Sequence, residues 1–260
     1  MNYYIIILGF IIIIVIIILL NKKVSIIQDN KRVVITLTTT PKRLPLIEDT
    51  ILSLVNQTRQ PDLIYLNIPE YYKKECSKYN QNNIVNLINK IPILKINNCV
   101  DKGPITKIYP VLDIETNPET IIITVDDDHI YNRNMIQELL KTSNNNPDKI
   151  ICNYLYTFNN IVVPYGFKGV LYKRKFFDDD IKLYIDETNN YTHCFTSDDY
   201  VLGYYFDFKK IEVVLSKNIV ELDELREYGL KKEDALHLSL LPNKERYGKC
   251  HNFITKVLLD

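Results

Sequence analysis

The spacing of apolar residues changes several times along the chain, and each change predicts an element. Residues 33–38 form a β-branched run that ends at the turn-prone Thr39, Thr40 and Pro41, which predicts a strand. A helix is predicted next, because apolar residues recur at helical spacing at Leu46, Ile47, Ile51, Leu54 and Val55. Further apolar runs predict strands over 63–68, 93–96 and 121–125, with helices around 84–91 and 106–112. The order is therefore βαβαβ.

The predicted strands are continuously apolar rather than alternating, so both of their faces should be covered. This pattern favours an α/β fold with a mostly parallel sheet flanked by helices on each side. After residues 144–147, which are rich in Asn and end in Pro, predicted strands over 150–158 and 211–215 mix with shorter helices. We expect this second half to lie against the sheet as a subdomain.

Residues 3–20 carry no charge and almost no polar side chain. As a helix rising about 1.5 Å per residue they would span roughly 27 Å, close to the hydrocarbon thickness of a bilayer. A cleaved signal peptide is the alternative, but the run is longer than usual for one and no Ala-x-Ala-type site follows it. We therefore expect a single-pass anchor over 1–21, a linker over 22–32 and a catalytic domain over 33–260.

Two sequence signals disagree about the side of the membrane on which that domain lies. The positive-inside rule favours the cytosol, because basic residues follow the apolar run at Lys22, Lys23, Lys31 and Arg32. Asn-x-Thr sequons at Asn56 and Asn190 favour a lumenal domain. The sequence leaves both sides open.

Charge and cysteine content exclude other classes of protein. Lys plus Arg and Asp plus Glu both number 32, so no excess positive charge is present for nucleic-acid binding, and no nucleic-acid partner is expected. The cysteines are odd in number and widely spaced, at Cys76, Cys99, Cys152, Cys194 and Cys250. This spacing predicts buried free thiols rather than disulfides or a zinc site.

An acidic run, Asp126–Asp127–Asp128, directly follows the apolar strand predicted over 121–125. In open α/β sheets, ligands bind beyond the carboxyl ends of the strands, so this run should reach the binding edge. Adjacent carboxylates repel one another, and a hard cation such as Mg²⁺ or Mn²⁺ would relieve the repulsion. Helix capping by Asp128 is the alternative. The second run, 178–180, follows no long buried strand and is expected to be a solvated loop.

Two other polar segments should reach the same edge. Thr38, Thr39 and Arg43 follow the first strand and could hold a nucleotide, although a plain polar loop has the same composition. Gly103 and Pro104 precede Lys107 at the start of a predicted helix, where backbone N–H groups and the ammonium suit a phosphate. A simple turn with an N-cap is the alternative for this segment.

Asp198 and Asp199 open the apolar helical pattern that follows them. One carboxylate can cap the helix, and the other is free to act as a general base toward an acceptor hydroxyl. Between the two acidic clusters, residues 166–169 contain two glycines and form a segment that a ligand could approach closely, with a structural turn as the alternative. Among the histidines, His237 is the preferred additional metal ligand.

Taken in order, these segments resemble a nucleotide-sugar glycosyltransferase of the GT-A fold, over about residues 33–255. The resemblance rests on segments 36–43, 103–107, 126–128, 169–172 and 197–199. It implies a GT-A-like, Rossmann-type sheet in which Asp126, Asp127 and Asp128 form the DxD motif for donor ribose and metal. It also implies that Asp199 is the base, that Lys107 helps to hold the donor, and that His237 is similar to the C-terminal metal ligand.

The implied reaction is metal-dependent transfer of a sugar from a nucleoside diphosphate, with UDP favoured, to a hydroxyl of a glycan, protein or lipid. Mn²⁺ or Mg²⁺ and the nucleotide-sugar are the expected cofactors. Two alternatives remain open from the residues alone. One is a phosphotransferase or nuclease that uses the acidic cluster with two metal ions. The other is a non-catalytic binding protein tethered to a membrane.

Overall fold

The computed structural model describes residues 9–17, 31–218, 224–225 and 241–259. The chain divides into two units after Arg32. In the first unit, residues 9–17 are helical and residues 10–17 are exposed. Among the helices described, none combines the length and the apolar character needed to cross a bilayer. The rest of the expected anchor and linker, residues 1–8 and 18–30, lies outside the described residues, so the anchor stays a prediction.

The second unit is built on a seven-stranded sheet. Its strands are β1 (Val33–Thr38), β2 (Leu63–Pro69), β3 (Leu94–Cys99), β4 (Ile121–Thr124), β6 (Ile150–Cys152), β9 (Val170–Lys173) and β10 (Val213–Leu215). Two small antiparallel pairs accompany it: β5 (His129–Ile130) with β11 (Glu224–Leu225), and β7 (Leu155–Phe158) with β8 (Ile161–Pro164). The strand order of the large sheet is β10-β6-β9-β4-β1-β2-β3.

Helices cover this sheet. They are α1 (Glu48–Val55), α2 (Gln81–Lys90), α3 (Val111–Ile114), α4 (Met135–Asn145), α5 (Ile181–Asn189), α6 (Thr192–Phe195), α7 (Asp198–Phe208) and α8 (Asn243–Leu259). Single turns of 3-10 helix lie at Leu44–Leu46, Ile105–Lys107, Gly166–Lys168 and Arg174–Phe176.

Both faces of the sheet are buried, as the continuous apolarity of its strands predicted. Along β4, Ile121 and Ile123 pack with residues of α1, α2 and α4 on one face, whereas Ile122 packs with residues of α5, α7 and α8 on the other. Side chains alternate across a strand, so a strand between two helical layers must be apolar at every position. The α/β prediction with a mostly parallel, helix-flanked sheet is confirmed.

Strand β9 is the one strand of this sheet that runs against the others. It is antiparallel to both β4 and β6, whereas all other neighbours are parallel. The start of β9 therefore lies at the edge where β4 ends, and Gly169, with φ of +90°, turns the chain into it. The end of β9 leads to the opposite edge, so Asp178–Asp180 is separated from Asp126–Asp128 and is exposed, as expected.

Several predicted boundaries differ from the structure. The single strand predicted over 150–158 is two strands, because β6 belongs to the large sheet and β7 leaves it to pair with β8. The helix predicted over 106–112 is a 3-10 turn followed by the four-residue α3. Neither β8 nor β9 was expected, since short runs that lie between turns carry no clear period.

The prediction of five buried free thiols is wrong. Cys194 of α6 and Cys250 of α8 form a disulfide, and Cys76 is exposed. Only Cys152 is a fully buried thiol, and burial raises its pKa to about 12. The two bonded residues are 56 positions apart, and the contact between α6 and α8 that joins them leaves no local pattern in the sequence.

Candidate functional site

The three carboxylates after β4 turn toward three different sets of partners. The Asp126 carboxylate lies 2.7 Å from the Lys107 ammonium. Asp127 accepts hydrogen bonds from the Thr39 hydroxyl and the Arg43 guanidinium, both at 2.6 Å. Asp128 lies 3.3 Å from Arg43. The mutual repulsion of the run is thus offset by cationic side chains of the protein itself.

Lys107 joins two parts of the sequence that are far apart. Its ammonium lies 2.7 Å from Asp126 and 2.9 Å from Asp198 at the start of α7. Its carbonyl accepts hydrogen bonds from the Thr36 hydroxyl and, at 3.0 Å, from the Asn67 amide. Burial alone would lower the pKa of Lys107, but Asp126, Asp198 and Asp199 raise it well above its usual value. Lys107 is therefore a fixed positive charge.

The pKa of Asp199 is raised well above the usual value for an aspartate. Asp199 is partly exposed, and it accepts a hydrogen bond from the Gly166 amide at 3.0 Å. Burial first, and the neighbouring Asp198 second, raise the pKa of Asp199 well above the usual value, although Lys107 opposes them. A raised pKa makes the Asp199 carboxylate a stronger proton acceptor than an ordinary aspartate.

The backbone at Gly166 lies against this charged cluster. A Cβ at this position would lie 2.9 Å from the Lys107 ammonium, 3.3 Å from Asp199 and 3.7 Å from Asp126. No larger residue fits without moving one of these groups. The segment expected to be an open approach for a ligand is thus the backbone wall of the cluster, and Lys107, Asp126, Asp198 and Asp199 meet around it.

Asp127 and Arg43 form a second ion pair beside that of Lys107 and Asp126. The carboxylate of Asp127 is more buried than that of Asp126. Burial raises the pKa of Asp127, with Arg43 opposing it. For Asp128, burial would raise the pKa, but His129 at 2.7 Å and Arg43 lower it below the usual value. For Arg43, burial would lower the pKa, but Asp127 and Asp128 raise it. Arg43 thus joins the loop after β4 to the segment that follows β1.

The residues predicted to contact a nucleotide are therefore engaged within the protein. Thr38 donates to the Asn67 carbonyl at 2.8 Å, and Thr39 is buried against Asp127. Their role toward a nucleotide, like that of Arg43, stays a prediction. His237 lies outside the described residues.

Two carboxylates of the run remain accessible to a metal ion. The Asp126 side chain is 35% exposed and that of Asp128 is 26% exposed. Within the described ranges, no three His, Cys, Asp or Glu side chains gather as a metal-binding group. Mg²⁺ and Mn²⁺ typically take one or two carboxylates and complete their shell with water and substrate phosphate. The two accessible carboxylates fit an open site of that kind.

Two tyrosines of the site could not be recognised in the sequence. The Tyr131 hydroxyl accepts a hydrogen bond from the Asp126 amide at 2.8 Å and lies 3.0 Å from the Phe167 carbonyl, so it joins the acidic run to the Gly166 segment. Tyr247 of α8 is buried, and burial first and Asp199 second raise its pKa. In the sequence both look like aromatic residues of the core. No periodicity distinguishes a tyrosine that only fills the core from one whose hydroxyl also positions a loop.

No protein-family model matches the sequence, and no curated protein matches it. Among solved structures, the mannosyltransferase PcManGT from Pyrobaculum calidifontis, in complex with GDP-Man and Mn²⁺, is similar at 13% identity and a TM-score of 0.48, over 87% of this chain and 75% of that chain. The 4-diphosphocytidyl-2C-methyl-D-erythritol synthase from Anaerococcus prevotii is similar at 13% identity and a TM-score of 0.46, over 75% of this chain and 91% of that chain.

TarS from S. aureus, in complex with UDP, is similar at 12% identity and a TM-score of 0.44, over 73% of this chain and 59% of that chain. Identities and TM-scores this low do not establish membership of any of these families.

Proposed function

We propose that the protein is a metal-dependent glycosyltransferase that moves a sugar from a nucleoside diphosphate, with UDP favoured, to an acceptor hydroxyl. The observation that carries the proposal is the meeting of Asp126, Lys107 and Asp199 around Gly166, where β4 ends. Glycosyl transfer of this kind needs positive charge for the departing diphosphate and a base for the acceptor. This cluster contains groups of both kinds at one edge of the sheet.

Asp199 is the better candidate for the base, and Asp198 for a positioning residue. Asp198 is buried and paired with Lys107 at 2.9 Å, so its carboxylate is committed to that ammonium. Asp199 is partly exposed and has a raised pKa, which suits uptake of a proton from a hydroxyl. We assign the base to Asp199.

Asp126 and Asp128 would hold the divalent cation, Mn²⁺ or Mg²⁺, because they are the accessible carboxylates of the run. When bound, the cation supplies positive charge opposite the diphosphate. Lys107 adds a fixed charge whose protonation does not change near neutral pH. Arg43, Thr38 and Thr39 would border the nucleotide, and Arg43 and Thr39 would keep Asp127 turned inward, away from it.

The test compares Asp128→Ala with Asp179→Ala in hydrolysis of a panel of nucleotide sugars with Mn²⁺. Asp179 lies in the exposed run at the opposite edge of the sheet, so it is a matched control for charge and residue type. We expect Asp128→Ala to lose metal-dependent hydrolysis and Asp179→Ala to keep it. Thermal unfolding of both variants separates loss of activity from loss of fold.

Equal activity of the two variants would contradict the assignment of the acidic run. Calorimetric titration distinguishes the competing classes of enzyme. Metal-dependent binding of a nucleotide sugar supports the proposal, whereas binding of DNA with no response to nucleotide sugars would favour a nuclease.

A further inference from the structure

Three aromatic side chains form a continuous, partly exposed surface beside the charged cluster. We define this aromatic platform as Tyr154, Tyr165 and Phe167. The ring centroid of Tyr154 lies 5.6 Å from the ring centroid of Tyr165 and 5.6 Å from that of Phe167. The ring centroids of Tyr165 and Phe167 are 6.1 Å apart. Tyr154 is 43% exposed, and the other two are partly exposed. Single exposed aromatics are common on protein surfaces, but three in mutual contact form a patch.

The platform is attached directly to the proposed catalytic groups. Gly166 lies between Tyr165 and Phe167 in the sequence, and its amide donates to Asp199 at 3.0 Å. The Phe167 carbonyl lies 3.0 Å from the Tyr131 hydroxyl, which also accepts from the Asp126 amide. A molecule on the platform therefore lies next to both Asp199 and the end of β4.

The chemistry of the platform is mixed. The Lys168 ammonium lies 5.5 Å from the centroid of the Tyr154 ring, and the two tyrosines carry hydroxyl groups. A sugar ring has apolar C–H faces and a polar edge of hydroxyls, so it can stack on the rings and hydrogen-bond at their rim. A carbohydrate therefore matches both the rings and the polar rim, whereas an acyl chain would match the rings alone.

We propose that the acceptor is a carbohydrate, and that its terminal sugar stacks on Tyr154, Tyr165 and Phe167 with a hydroxyl directed toward Asp199. This inference rests on the proposed function and names the class of acceptor for the same site. Of the glycan, protein and lipid acceptors left open by the sequence, it selects the glycan.

The experiment uses the full chain and three variants, Tyr154→Ala, Tyr154→Phe and Tyr156→Ala. Tyr156 lies on β7 and is 44% exposed, so it matches Tyr154 in residue type and exposure. A panel of methyl glycosides serves as the acceptor probe. Donor hydrolysis without acceptor, the kcat and KM for each glycoside, and saturation-transfer NMR of glycoside binding are measured for every protein.

We expect Tyr154→Ala to raise the KM for the accepted glycoside by about tenfold, as loss of one stacking contact predicts, with donor hydrolysis unchanged. Tyr154→Phe should keep KM within about twofold, because it retains the ring. Tyr156→Ala should match the unaltered protein in both measurements.

An unchanged KM in Tyr154→Ala, or an equal loss in Tyr156→Ala, overturns the platform. Absence of glycoside binding in the NMR measurement also overturns it, even if donor hydrolysis is normal. Glycoside binding that depends on Tyr154 in a protein that hydrolyses no nucleotide sugar supports the platform and rejects the proposed function.

Discussion

Lys107 balances the charges of the candidate site. Its ammonium lies within 3 Å of both Asp126 and Asp198, and those two carboxylates come from segments separated by more than 70 residues. Thr36 and Asn67 fix its backbone carbonyl, so both ends of the residue are held. Without this cation, two carboxylates would face each other with no counter-charge.

We therefore predict that Lys107→Gln lowers the free energy of unfolding by about 3 kcal/mol, at the lower end of the range for breaking a buried ion pair because Asp126 is partly exposed. The matched control is Lys182→Gln, which breaks an exposed pair with Asp113 and should cost less than about 1 kcal/mol. Urea denaturation measures both variants. Equal losses in the two variants would contradict the claim that Lys107 offsets the negative charges of Asp126 and Asp198.

At the scale of single residues, the sequence was sufficient to predict that Asp126, Lys107 and Asp199 lie close together, because each follows or opens an element at the same sheet edge. It was not sufficient to assign their partners. That Asp127 turns to Thr39 and Arg43 depends on the packing of the loop after β4, and the participation of Tyr131 depends on a hydroxyl that no pattern distinguishes from a core ring.

Among the elements, α8 is held against the body of the domain by a covalent bond and by aromatic packing. Cys250 bonds to Cys194 of α6, and Tyr247 stacks on Tyr200 of α7 with ring centroids 5.0 Å apart. The bond lies three residues before Ser197, which precedes Asp198 and Asp199. Order in α8 is thus coupled to the start of α7.

We predict that the free energy of unfolding of the double variant Cys194→Ala/Cys250→Ala is about 2–4 kcal/mol lower than that of the parent. The reason is that the disulfide joins residues 56 positions apart and so restricts the unfolded chain. Adding dithiothreitol should shift the urea midpoint of the parent and leave that of the variant unchanged. A parent protein that is insensitive to reductant under unfolding conditions would show that the bond contributes nothing.

The elements themselves were predictable where their patterns were long. Strands β1, β2 and β4 and helices α1 and α2 coincide with apolar periodicities of four residues or more. The division between β6 and β7 and the reversed direction of β9 could not be derived, because the apolar content of a short strand says nothing about which neighbour it will pair with or in which direction.

At the scale of the whole molecule, buried tyrosines make the free energy of unfolding depend on pH in the alkaline range. Burial raises the pKa of Tyr131, Tyr172 and Tyr184 well above the usual value and that of Tyr72 to about 12. In the unfolded chain these groups would titrate near pH ~10. The contribution of these tyrosines to the free energy of unfolding is therefore fully present below pH ~10 and falls as the pH rises further, since the unfolded chain releases protons that the folded chain retains.

We predict that ionisation of these tyrosines, followed by absorbance at 295 nm, coincides with loss of far-ultraviolet circular dichroism between about pH 10 and 12. A smooth titration of all tyrosines near pH ~10 in a protein that remains folded would contradict the burial of these rings.

The disulfide also bears on the compartment of the domain. Disulfides persist in oxidising compartments, whereas the basic residues after the apolar N-terminal run favour the cytosol. We propose that the domain lies on the oxidising side of the membrane, because the disulfide between Cys194 and Cys250 is part of the folded domain. Protease added outside sealed vesicles should then leave the domain intact, and complete digestion would reject this placement.

The reversal at β9 places the aromatic surface on one contiguous stretch of the chain. The chain leaves the large sheet after β6 and returns at Gly169, so residues 153–169 are an excursion that starts and finishes at the edge where β4 ends. Grafting a different segment over residues 153–165 would replace Tyr154 and Tyr165, keep Gly166 and its hydrogen bond to Asp199, and leave the register of β1, β2 and β4 as it is. The same scaffold could thus be adapted to a new acceptor by exchanging one contiguous stretch of chain.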